Sequence, residues 1–296
     1  MTEARIEVAL ALGMSLGESP LWSVARQTLY WVDINRGVIY AWRPDHDEAP
    51  TRIELDEKVG CLALCEAGLL AATASGIVRL RLPFDGRPER LADNPEWREE
   101  GGNRFNDGRC DAHGRLWVGT IAADEQSPTA ALYCLDQGQL VPRRSGIGIS
   151  NGLAFSPDGH WLYHTDSLTR RILRYPFDVA SGGTGVAETW VDLEALGLPG
   201  VPDGAAVDSE GHYWSVLYGG GQLVRFSPDG ELVAGVELPC PHPTMVAFGG
   251  ADLQTLYITT ATQHLDAEGK ARWPAAGGLL RMPAPVAGLE EPVGRG

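Results

Sequence analysis

The sequence predicts an all-β protein, a six-bladed β-propeller formed by one domain spanning residues 1–296. Three observations predict it. Short apolar segments rich in Val, Leu, Tyr and Trp recur in groups of three or four. The groups repeat at intervals of roughly 40 to 50 residues, the period of a propeller blade. Apolar residues at the 3.6-residue spacing of an amphipathic helix are scarce.

Each unit reads as strands separated by turns. The first comprises residues 19–23, 28–33 and 37–42, with 51–55 as a fourth strand. The second comprises 60–65, 68–72 and 76–82, broken by Gly-containing turns that need no Cβ. In the third, 108–111 leads through the turn 112–114 to 116–120 and 131–135, and 140–142 is a candidate outer strand. The fourth, 151–156, 161–165 and 171–175, turns at Pro157-Asp158-Gly159, a sequence that presets a tight turn. The fifth is 204–208, 213–217, 222–226 and 232–236, and the sixth 244–248, 255–259 and 278–282. The segment 5–9 is expected to pair with the C-terminal strands and close the ring, which removes exposed edges. Short helical turns are expected at 95–99 and 193–196.

Composition narrows the function classes. Hydrophobic residues make up 44% and charged residues 21%, enough for a packed core. The 39 acids against 24 bases give a net charge of -15, a field that opposes binding to nucleic acid or to an anionic membrane surface. The five cysteines, 61, 65, 110, 134 and 240, are odd in number and lie in apolar runs, which suits buried, reduced thiols in a cytoplasmic protein. The apolar run 8–12 is too short for a secretory signal, and no stretch has the length of a membrane span.

The chemistry is expected where the units converge. In a propeller the inner strand of each blade lines the central channel, so residues just before those strands surround one mouth. Glu18, Asn106, Asn151 and Asp203 occupy that position in units one, three, four and five. Two carboxylates and one or two carboxamide oxygens form a hard oxygen site suited to Ca²⁺, Mg²⁺ or Mn²⁺, with Zn²⁺ also admitted. An isolated Pro202-Asp203-Gly204 would otherwise read as a turn. Its place before an inner strand separates it from Pro157-Asp158-Gly159 and Pro228-Asp229-Gly230, which follow strands.

Glu18-Ser19-Pro20-Leu21-Trp22, Asn103-Arg104-Phe105-Asn106-Asp107-Gly108, Gly119-Thr120, Ser150-Asn151-Gly152-Leu153-Ala154-Phe155-Ser156-Pro157-Asp158-Gly159 and Pro202-Asp203-Gly204 occur in order along nearly the whole chain. They resemble the gluconolactonase family that includes senescence marker protein (regucalcin). The resemblance implies a propeller with a central metal site, in which one divalent cation, Ca²⁺ in the first instance, is bound by Glu18, Asn151 and Asp203. It further implies hydrolysis of a small sugar lactone, with Asp203 orienting or deprotonating water and with Arg104 and Asn106 contacting the substrate. Where relatives commonly carry Met-Ala-Glu-Glu after Gly-Thr, this chain has Ile121-Ala122-Ala123-Asp124-Glu125, so the shorter Asp124 is expected to meet the substrate hydroxyls, with Glu125 as the alternative. The competing readings are a non-catalytic calcium-binding propeller, and an esterase or organophosphate hydrolase at the same site.

Other signals carry less. Gly148-Ile149-Ser150-Asn151-Gly152 fits the serine-hydrolase pattern, but that elbow leads into a helix and 153–155 reads as strand. His164 and Asp166 are expected to bond neighbouring strands, and His242 has no partner at zinc-protease spacing.

Overall fold

A computed structural model describes residues 5–46, 48–84 and 86–295. Six antiparallel sheets of four main strands each form the blades of a β-propeller. Their inner strands are Gly17–Ser23, Val59–Cys65, Arg104–Cys110, Ser150–Phe155, Val201–Val207 and Pro243–Gly249, which define blades 1 to 6. Blade 4 carries an additional short strand, Gly183–Thr184. The ring closes as expected: Glu7–Leu10 pairs with Leu279–Pro283, so the N-terminus supplies the outer strand of the last blade.

The apolar cores lie between blades. Along Val59–Cys65, Leu62 and Leu64 pack toward blade 1, whereas Cys61 and Ala63 pack toward blade 3. The strand therefore reads as a continuous apolar run, because both of its faces are covered. Trp117 fills the space between blades 3 and 4, and Trp214 that between blades 5 and 6. Their indole N–H groups, buried with the rings, donate to Asp111 and Asp208 at 3.0 Å each. Each acid sits six positions before its Trp, in the turn that ends the inner strand.

All six inner strands share one irregularity. Their register against the second strand shifts between Glu18 and Leu21, Val59 and Cys61, Phe105 and Gly108, Asn151 and Ala154, Pro202 and Ala205, and Pro243 and Met245. A bulge breaks the alternation of side chains and re-aims them, here toward the channel. Sequence reasoning placed the polar residues just ahead of the strands. They lie within them, because the bulge lets a strand turn a polar side chain inward without surrendering its ladder.

The expected helical turns at 95–99 and 193–196 are hydrogen-bonded turns instead. Both are too short to nucleate a helix against the competing side-chain contacts of Asn94 and Asp192, which accept from Glu96 N–H and Glu194 N–H. The α-helix Ala267–Arg272, capped by Asp266, was not expected from the sequence. No helix among the described residues is long and apolar enough to cross a membrane.

Candidate metal centre and substrate mouth

The six inner strands begin at one end of the channel, its mouth. Residues 287–295 run across the other end, tied by Ser209 N–H to Ala287 O, Gly294 N–H to Leu64 O and Arg295 N–H to Gly114 O. Glu291 inserts there and pairs with Arg109, whose guanidinium also donates to the Leu153 and Ala205 carbonyls. A cavity of about 10 Å³ beside this plug is lined in part by Ser19, Leu62, Met245 and Glu291, and one of about 240 Å³ in part by Arg109, Phe155, Val207, Phe248 and Glu291.

At that mouth the structure brings together Glu18, Asn106, Asn151 and Asp203. A chain of hydrogen bonds runs through the carboxamides. Arg104 donates to Asn106 Oδ1 at 2.8 Å, and Asn106 Nδ2 donates to Asn151 Oδ1 at 2.9 Å and to Ser150 O at 3.0 Å. Asn151 Nδ2 donates to Ser167 Oγ at 2.9 Å, and Ser167 in turn donates to the carbonyl of Pro202, next to Asp203, at 2.7 Å. These bonds use both amide donors of Asn106 and one of Asn151, and leave one lone pair on each carbonyl oxygen. Asn106 thus orients Asn151.

The same backbone device sets two of the strands that carry these residues. Asp33, at the end of the second strand of blade 1, accepts from Ser15 N–H at 2.9 Å and Leu16 N–H at 3.2 Å, just ahead of Glu18. Asp166, in the equivalent place of blade 4, accepts from Gly148 N–H at 2.9 Å and Ile149 N–H at 3.1 Å, just ahead of Asn151. Gly152 has φ 62°, and a Cβ there would stand 2.5 Å from the Tyr213 hydroxyl, which donates to Gly152 O. Only glycine meets both demands.

The electrostatics are those of crowded acids. Burial pushes the Glu18 carboxyl up to about 8; the Ser19 N–H and Arg104 oppose the rise and Asp107 adds to it. Asp203 is raised well above the ordinary carboxylate range by burial, then by Glu18 and Asp107. Among the described residues Arg104 is the one cation whose field registers on Glu18, and none registers on Asp203. Asp107 lies deeper: one oxygen accepts Leu153 N–H at 2.8 Å, and the other is buried with no hydrogen-bond partner. Three buried acids, of which Asp107 raises the other two, with an orphaned oxygen among them, fit a bound cation. Among the described residues no three His, Cys, Asp or Glu side chains converge closely enough to hold a metal by themselves.

Asp124 is not brought into this set. Its carboxylate is exposed and accepts from Gln126 N–H, Ser127 N–H and the Ser127 hydroxyl, bonds that hold it down to about 2. The next residue, Glu125, has φ 54° and acts on the mouth. Burial lowers Arg104, and Glu125, then Glu18, oppose that. Lys58 is lowered by burial and by Arg104, and raised by Glu125. Asp107 was missed from the sequence, whereas Glu125 was the alternative that the sequence left open beside Asp124.

Of the discounted signals, Ser150 continues into a strand, and its Oγ meets His164 Nε2 at 2.8 Å in the buried interior. All five cysteines are free and buried.

Residues 16–262 match the SMP-30/Gluconolactonase/LRE-like region. The chain is 42% identical to a 6-deoxy-6-sulfogluconolactonase of Pseudomonas putida over 94% of both proteins, and 34% identical to a pentonolactonase of Haloferax volcanii over 93% of both. It superposes with TM-score 0.93 on the crystal structure of a calcium-binding protein, regucalcin, from Agrobacterium tumefaciens, at 30% identity, covering 99% of this chain and 98% of that one.

Proposed function

Because the chain belongs to the SMP-30/gluconolactonase/LRE-like family, we propose that it hydrolyses sugar lactones to open-chain acids at the channel mouth, with a divalent cation held by Glu18, Asn151 and Asp203. The observation that carries this reading is the meeting of two buried carboxylates, Asp203 raised by the field of Glu18 and both raised by Asp107, with a carboxamide oxygen that keeps a free lone pair. An all-oxygen donor set favours Ca²⁺ first, and admits Mg²⁺, Mn²⁺ or Zn²⁺. The five buried thiols suit a reducing compartment, the cytoplasm.

A bound cation would supply electrostatic stabilisation of the negative charge that gathers on the lactone carbonyl oxygen. The chain's own groups do the rest. Asp203, which a bound cation would keep ionised, accepts a proton from the attacking water as the water oxygen bonds to the carbonyl carbon. The ring C–O bond then breaks, and the proton passes to the departing oxygen, which becomes the hydroxyl of the product acid. Arg104 has further N–H donors beyond those bonded to Asn106 and Phe105 O, and these orient the ring hydroxyls. Asn106 keeps one carbonyl lone pair for a substrate hydroxyl while it fixes Asn151. Glu125, rather than Asp124, is the acid placed to accept from the sugar, since Asp124 is spent on its own loop.

Initial rates measured by pH-stat on aldono-lactones, aldaro-lactones, an aryl ester and a phosphotriester test the reaction class, and lactones should lead. Asp203→Asn should lower lactone turnover by about 10²- to 10⁴-fold, the range for loss of a general base. A near wild-type rate in a folded Asp203→Asn protein removes that residue from the chemistry.

A further inference from the structure

The strands that carry Asn151 and Asp203 are held at a second point, deeper in the channel. Arg109, near the end of the blade 3 inner strand, sends its guanidinium to three separate segments. Its Nε donates to Leu153 O at 3.1 Å, Nη2 donates to Ala205 O at 2.9 Å, and Nη1 donates to the Glu291 carboxylate. Leu153 lies two residues after Asn151, and Ala205 two after Asp203. Asp107, on the same strand as Arg109, accepts Leu153 N–H at 2.8 Å. Blade 3 thus grips both backbone polar groups of Leu153, and one guanidinium spans the inner strands of blades 4 and 5.

The gripped groups sit at the bulges that aim Asn151 and Asp203. The register shift of blade 4 runs from Asn151 to Ala154, and that of blade 5 from Pro202 to Ala205. A bulge leaves a residue outside the ladder, and Leu153 finds its partners on the blade 3 side chains instead. A guanidinium is a rigid plane of five donors, so the separation of the two carbonyls it joins is set by its own shape. Glu291 decides where that plane lies. Among the described residues it is the acid paired with Arg109, and both side chains are largely buried, at 15% and 13% exposure. Burial opposes the Arg109 charge, and Glu291, then Asp107, more than offset it. Removing one partner from so buried a pair leaves the other charge uncompensated, and the guanidinium must move. Glu291 is itself fixed by the 287–295 segment, whose Gly288 N–H donates to Leu253 O and Gly294 N–H to Leu64 O.

We propose that Glu291 is a positioning residue for the cation site: through Arg109 it fixes the spacing of the inner strands of blades 4 and 5, and so the placement of Asn151 against Asp203. The segment 287–295 thereby governs cation affinity from the opposite end of the channel. The cation itself rests on the lactonase reading, whereas the mechanical link from Glu291 to Asn151 does not.

The test has two arms. Glu291→Gln keeps the side-chain shape and removes its charge, and Arg109→Lys keeps the charge but lacks the fork that joins two carbonyls. Glu7→Gln breaks the pair with Arg281 on the outer edge of blade 6 and serves as the control for an ion pair lost elsewhere. In the first arm Ca²⁺ is titrated calorimetrically into chelator-treated protein, at a temperature where circular dichroism shows each variant folded. Glu291→Gln and Arg109→Lys should weaken Ca²⁺ binding by about ten- to hundredfold, the usual cost of disturbing groups behind a metal's ligands, and Glu7→Gln should bind as the wild type does. Wild-type affinity in folded Glu291→Gln and Arg109→Lys, or an equal loss in Glu7→Gln, overturns the proposal. In the second arm the Asn151 side-chain amide is followed by ¹H–¹⁵N NMR in metal-free protein. Its signals should move in Glu291→Gln and Arg109→Lys and stay in place in Glu7→Gln, and unmoved signals overturn the proposal. If the wild type binds no divalent cation and opens no lactone, the functional reading falls while this second arm still decides the link.

Discussion

A carboxyl that keeps its proton longer in the folded chain than in the unfolded one favours folding only while it is protonated. Glu18 titrates at about 8 in the folded protein against 4.5 ordinarily, and Asp203 is shifted in the same direction. Their contribution is fully present below pH 4.5 and is lost as pH rises through the folded value. The metal-free protein should therefore melt a few degrees lower at pH 8 than at pH 5, and added Ca²⁺ should reverse the loss at pH 8. Thermal melts across that range in chelator check it, and a Glu18→Gln protein should show a flatter profile. At this scale the sequence was legible where residue identity and repeat position coincide, as at Glu18, Asn151 and Asp203. It was not legible at Asp124 and Glu125. The choice between two adjacent acids was made by three hydrogen bonds within the loop, which turn the first away and leave the second facing Arg104. Asp107 escaped notice because a strand should send neighbours to opposite sides, and the bulge beside Asn106 suspends that rule.

The elements that matter most are the inner strands and the loops that start them. Asp166 gathers Gly148 and Ile149 N–H groups, and its counterpart Asp33 gathers Ser15 and Leu16 N–H groups. Asp166→Ala would leave buried donors unpaired, at about 1–3 kcal/mol for each one that water cannot reach. It should also loosen Asn151, so cation affinity should fall along with stability. Calorimetric Ca²⁺ titration beside urea unfolding measures both, and a variant with wild-type affinity would leave Asp166 a role in stability alone. The inner strands and most of their turns were readable from the sequence, because an apolar run bounded by Gly and Asp has few alternatives. The outer strands were harder, since only one of their faces is covered: Leu232–Glu237 is largely exposed. The helix Ala267–Arg272 has no buried residue and so left no apolar periodicity to find.

The whole molecule is a ring whose last blade needs both ends of the chain. Glu7–Leu10 covers the edge of Leu279–Pro283, and Met14 N–H and Gly277 O are joined at 2.8 Å alongside. Deleting residues 1–10 should expose that edge, lower the melting temperature and promote self-association, which thermal melts and light scattering would detect. The sequence by itself determined the number of blades, the way the ring closes and the four polar positions at the mouth, because each follows from a short-range pattern repeated at a fixed interval. Tertiary structure alone decided which neighbouring acid acts on Arg104, how the carboxamides are oriented, and that Tyr218, His242 and His264 meet. The physical reason is that closing the ring fixes contacts between residues tens to hundreds of positions apart, and no local pattern encodes the angle at which their side chains arrive.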